Sequence, residues 1–129
     1  MELGSSQTES VTLARQVFGW FTEHDMDAFL SALHPDIQAS PSIAGGSVLH
    51  GRDAVIRWLS ELVDLGEEVE LRPLDFEQRG DCVLVRGYVR HREGRALTEN
   101  QVYWVCEIHH RQVVRMEAHR TRDAALAAC

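Results

Sequence analysis

The segment VYWVCEIHHRQVVRMEAH, residues 102–119, holds three of the chain's seven histidines between two apolar runs. Imidazole exchanges a proton near neutral pH, so each is a candidate acid or base. His109 and His110 fall where one run turns into the next, where neighbouring side chains diverge and meet water. The pair reads as a hairpin tip rather than as a metal or proton site. His119 lies inside the second run beside Arg120, and strand side chains alternate, so one of the two faces inward. Register decides which. A three-residue HHR loop sets Asn100 opposite Arg120 and Trp104 opposite Met116, whereas a two-residue loop brings His119 to the Trp104 face. Asn100 and Arg120 together would bind a carbonyl or carboxylate oxygen over an apolar floor of Trp104 and Met116. The candidate proton carriers are His119 first and Glu99 second. Arg86 and Tyr88 share a face and suit an anionic ligand, but an outward ion pair of Arg86 with Glu99 or Glu107 explains them more simply. Trp20, Phe21, Phe29 and Trp58 are aromatics for a core or a pocket wall.

The elements that must carry these groups follow from period. VTLARQVFGWFTEH spaces Val11, Ala14, Val17, Phe18 and Phe21 as a helix, capped at Ser10 or Thr12. DMDAFLSALHP is a second, capped by Asp25 and ended by Pro35, and RDAVIRWLSELVDLG a third, closed by Gly66. Between them a brief strand near Ile37 leads into a loop around Gly45 and Gly46. From Glu67 the period becomes 2, giving four strands, VELRPLDFEQ, CVLVRGYVRH, RALTENQVYWVCEIH and QVVRMEAHRT. Pro73 calls for a bulge or an edge in the first of them. RDAALAAC is a helical turn or a tail. Three N-terminal helices and a meander make an α+β domain with helices on one face of a curved antiparallel sheet. The expected division is a flexible arm, 1–9, and a single domain, 10–129. Apolar groups occur on both strand parities, so a homodimer through the open sheet face is expected.

The 129 residues suit one domain. A net charge of -7 opposes nucleic acid, and all 13 basic residues are arginine, which removes lysine chemistry. Three cysteines without CxxC spacing suggest neither a disulfide framework nor a cysteine zinc site, and fit a cytoplasmic compartment. The chain has no long apolar run for a membrane and no nucleotide-binding or HExxH motif, so action without metal or cofactor is expected.

TEHDMDAFLSALHPDI, HGRDAVIRWLSEL and HRQVVRMEAHRTRDAALAA, in this order, resemble the NTF2-like superfamily and its SnoaL-like branch of polyketide cyclases, ketosteroid isomerases and limonene-epoxide hydrolases. The resemblance implies a cone with an apolar pocket between helices and concave sheet. It also implies that Met116 and Ala118 line that pocket, which favours the register that brings Arg120 inward. Where the isomerases carry a tyrosine, an aspartate before proline and a second acid, this chain has Val17, Ser40 and Trp104. Asp75, Asp81 and Asp123 match no cyclase site, and Glu99, Asn100 and Gln101 stand in place of the hydrolases' Arg-x-Asp. The expected function is binding, or cofactor-free isomerisation, cyclisation or hydrolysis, of a small apolar molecule with an oxygenated end. The alternative is a non-catalytic dimeric binding or protein-interaction domain.

Overall fold

The computed structural model describes residues 2–42, 46 and 48–129, with side chains from Glu9 onward. Gly45, in the expected loop, lies outside them. Helix α1 (Glu2–Thr22) extends through the segment expected as an arm. Helix α2 (Met26–Ser31) follows after His24 in the left-handed region, with the Asp25 carboxylate accepting from Ala28 N–H. It ends at Ser31, earlier than Pro35 required, because strand β1 (Leu33–Ser40) begins there and takes Pro35 into its own extended backbone. A two-residue strand, β2 (Leu49–His50), precedes helix α3 (Arg52–Asp64). Gly51, at φ 91°, donates its N–H to Ile37 O at 2.7 Å, and the Arg52 guanidinium donates to Leu33 O at 3.2 Å, so the GR pair ties α3 to β1. Gly66, at φ 71°, turns the chain out of α3 and directly into β3 (Glu67–Arg79).

Strands β3, β4 (Cys82–Glu93), β5 (Ala96–His109) and β6 (Gln112–His119) form the meander, and the sheet order is β2-β1-β6-β5-β4-β3. Pro73 satisfies both sequence alternatives: β3 is an edge strand, and its register with β4 shifts between Pro73 and Asp75. One pair departs from the antiparallel expectation, since β1 runs parallel to β6. The bulge brings backbone close to Gly87, where an added Cβ would lie 2.2 Å from Arg72 O and 2.9 Å from Pro73 Cα. Both neighbours are main chain, so neither can step aside. Gly87→Ala is expected to cost about 1–3 kcal/mol by this overpacking, read as a lower urea midpoint with unchanged slope; an unshifted midpoint would refute the clash.

Phe18, Val83, Val85, Val102 and Trp104 lie between the helices and the concave face of the sheet. A smaller cluster occupies the other face, where helix α4 (Arg122–Ala128), capped by Thr121, lays Ala125 against Cys82, Leu84 and Val105. The C-terminal residues are thus a fourth helix, and they cover from within the chain part of the apolar parity that suggested a dimer. Cys82 and Cys106 are thiols pushed up to about 12 chiefly by burial, which makes them inert packing groups.

Elsewhere the outer face is charged. Arg92 pairs with Glu68, Arg90 with Glu70 and Glu99, and Arg86 with Asp75 rather than with Glu99 or Glu107. The β4–β5 loop holds only Gly94 and Arg95, which sets Arg90 opposite Glu99 and Tyr88 opposite Gln101. A second chain of contacts runs along β5 and β6: His109 to Glu107 (2.8 Å), Arg115 to Glu107 (2.9 Å), Arg115 to Glu117 (3.0 Å) and His119 to Glu117 (3.0 Å).

Hydrogen bonds from His109 and Arg115 hold the Glu107 carboxyl below the ordinary carboxylate range. The unfolded chain takes up a proton near pH 4.3 while the native carboxylate stays ionised. The stabilisation is therefore complete above that pH and disappears as pH falls through the lower folded value. Thermal melts should show Glu107→Gln flattening the acid limb; an identical limb in the variant would remove Glu107 from the account.

Candidate functional site

Between the concave sheet and helices α1 to α3 lies a cavity of about 450 Å³. Period 2 selects its walls: Val69 and Leu71 from β3, Val89 and His91 from β4, Thr98, Asn100, Val102 and Trp104 from β5, Met116 and Ala118 from β6. Phe29 of α2 and Trp58 of α3 close it from the helical side. Its apolar body ends in a polar rim. Glu67 reaches that rim because Gly66 releases the chain from α3 at this point, and His91 reaches it three residues before the β4–β5 turn. His91 Nε2 lies 2.6 Å from Glu67 Oε1, with the two side chains 33% and 18% exposed. Thr98 pairs directly with His91 in the ladder, and Asn100 with Val89.

On the other side of Phe21, Leu62, Glu67, Val69 and Leu71 is a more open groove of about 860 Å³, bounded by α2 and the outer side of α3, with Leu97 at its end. Glu67 borders both spaces and so stands at the cavity mouth. A carboxylate–imidazole contact of 2.6 Å, beside hydroxyl and amide groups that can hold an oxygen, is an arrangement suited to acid–base work on a bound apolar molecule.

Glu67, His91 and Glu93 also offer ligand atoms within 4.8 Å of one another and could hold a divalent cation. A metal on Nε2 would compete with the Glu67 hydrogen bond. Two carboxylates and one imidazole suit zinc or manganese in type.

Of the residues expected at a site, the structure brings Asn100, Trp104 and Met116 to the cavity. The others are elsewhere. Tyr88 and Glu99 belong to the outer parity of β4 and β5, with Glu99 3.4 Å from Arg90. His119 sits opposite Tyr103 on that same outer face, bonded to Glu117. Arg120 occupies the exposed bend after β6, and Trp20 packs on the core from α1 without lining the cavity.

The β5–β6 register is neither of the two expected alternatives. Its turn has two residues, His110 and Arg111, at φ 52° and 64°, but a bulge between Glu107 and Ile108 then adds a residue on β6. Trp104 consequently faces Ala118 and Cys106 faces Met116, so Asn100 never meets Arg120. Glu67, His91 and Thr98 were missed. The signal existed for two of them, because His91 shares the parity of Val89, and a two-residue turn at Gly94 sets Thr98 across from it.

Among the described residues, the four helices and the six-stranded, unclosed curved sheet make an NTF2-like cone. Similar structures include an NTF2-like protein of unknown function from Burkholderia pseudomallei (21% identity, covering 92% of this chain and 95% of that one, TM-score 0.75). A candidate polyketide cyclase from Sinorhizobium meliloti (21%, 84% and 94%, TM-score 0.70) is another. So is an M. tuberculosis epoxide hydrolase of the limonene-epoxide hydrolase-like type (16%, 95% and 90%, TM-score 0.77). At these identities they establish the fold alone. Residues 14–120 match the SnoaL-like domain, and the chain belongs to that family. No curated protein matches it. Among the described residues no helix is long and apolar enough to cross a membrane.

Proposed function

We propose that this protein is a cofactor-free acid–base enzyme of the isomerase, cyclase or hydrolase kind, acting on a small apolar molecule with an oxygen-bearing end. The observation that carries this reading is the Glu67–His91 contact of 2.6 Å at the mouth of a largely apolar cavity. The ligand's body lies between Trp58, Trp104 and Met116, its oxygen near Asn100 and Thr98, and the Glu67–His91 pair exchanges the proton. Membership of a family with cyclase-like and epoxide-hydrolase-like structural relatives supports the reaction class. His119 and Glu99 would contribute only from the outer face. The test is a panel of enolisable ketones, polyketide esters and epoxides, assayed with the wild type and with His91→Gln. Turnover that the variant loses supports the reading; turnover that survives it, or none with any of these classes, sinks it.

A non-catalytic dimer is the second reading, favoured by Val63 and Leu65, which stand 76% and 72% exposed at the end of α3. Sedimentation of Val63→Glu beside the wild type tests it: dissociation of a dimer supports this interface, and a monomeric wild type removes it. Free cysteines suit the proposed cytoplasmic location.

A further inference from the structure

The charge at the cavity mouth narrows the ligand class, given that the cavity is the substrate site as proposed above. Glu67 and Glu93 stand directly opposite each other in the β3–β4 ladder, and His91 lies between them, its Nε2 2.6 Å from Glu67 and its Nδ1 3.7 Å from Glu93. Two like charges facing across a ladder are unfavourable unless something positive shares them. Nothing basic other than His91 lines the cavity among the described residues, and the sequence has no lysine. In the groove outside, Arg90 and Arg92 are engaged in ion pairs with Glu70, Glu99 and Glu68, and the lining acids Asp64, Glu67, Glu68 and Glu70 outnumber those two arginines, so the groove keeps a net negative charge. A molecule approaching the cavity therefore meets a net negative mouth, where Glu67, 18% exposed, is the shielded carboxylate and Glu93, 64% exposed, stands beside it in solvent.

We propose that the polar end of the ligand carries a basic nitrogen beside its oxygen. The cavity thus prefers amine-bearing apolar molecules to neutral ones and neutral ones to carboxylic acids. The ammonium lies against Glu67 and Glu93, and the apolar body lies against Trp58 and Trp104, whose fluorescence reports it. This is opposite to the anionic ligand that an inward Arg120 would have called for.

The experiment uses three probes of one carbon skeleton, 4-isopropylbenzylamine, 4-isopropylbenzyl alcohol and 4-isopropylbenzoate. Each is titrated into the full chain at pH 7.5 and low salt, with tryptophan emission excited where the probes do not absorb. The amine should bind at least about tenfold more tightly than the acid, with the alcohol between them. In Glu93→Gln that ratio should shrink severalfold, a readout that a generally weakened fold would not produce because all three probes would weaken together. Equal affinities for amine and acid, or a ratio untouched by Glu93→Gln, overturn the charge preference while leaving the cavity as a binding site. An amine that binds by calorimetry without changing tryptophan emission is only a counterion of an acidic surface, and that also overturns it. If none of the three binds, the proposed substrate site fails with it.

Discussion

His91→Gln is expected to lower kcat by about 10²- to 10⁴-fold, the usual contribution of a positioned acid or base, with much less change in KM. The reason lies in what the side chain touches. His91 stands at the cavity rim, where glutamine keeps the bulk and a hydrogen-bonding group against Glu67 but cannot accept and return a proton. An interaction used only while the proton moves is lost from kcat, whereas the apolar walls that bind the ground state remain in place. Glu67→Gln should act in the same direction, because the 2.6 Å contact makes one unit of the two residues. The double variant should then be scarcely slower than the worse single one, since a unit broken once has little more to lose. Losses that simply multiply would mean two independent groups. A steady-state comparison of the four proteins on the panel's active substrate decides between these outcomes, and a KM effect without a kcat effect would reduce His91 to a wall of the cavity.

The second large effect is on stability. Phe18 is 1% exposed and meets Trp104 edge-on at 4.9 Å and Phe76 at 5.9 Å between centroids. Phe18→Ala should destabilise by about 3–5 kcal/mol, the cost of a phenylalanine removed from a packed core. That is a large share of the roughly 5–15 kcal/mol of a typical domain. The missing ring also leaves Trp104 without its edge contact, so the cavity wall loosens as the core does. Phe18→Leu, which refills most of the volume, should lose far less, within about 1.5 kcal/mol. Urea unfolding followed by tryptophan emission measures both. An alanine variant as stable as the leucine one would mean that the surrounding side chains collapse into the space.

Local signals with a mechanism were legible in the sequence. Pro73 can neither donate to a ladder nor sit centrally, and Gly66 tolerates a left-handed backbone, so both announced their places. The helical and strand periods gave the elements themselves. What the sequence hid is set by contacts between distant segments. Leu49 and His50 make too short a strand to show a period, and RDAALAAC gave no clear sign of what its alanines would pack against. The candidate site suffered most from register. A single bulge on β6 keeps Met116 and Ala118 inward after a turn that would otherwise have brought in His119, and no residue type marks it. The Glu67–His91 pair joins residues 24 apart on different strands, and Glu67 reads locally as one more acid in GEEVE.

The parallel pairing of β1 with β6 carries a further consequence for how the protein is made. β6 is translated well after β1, with α3 and the strands β3 to β5 between them, and among the described residues it is the strand that joins β1 and β2 to the rest of the sheet. Until then β1 and β2 lie outside the sheet, packed against helices α2 and α3. Closure of the sheet then depends on its most non-local strand pairing.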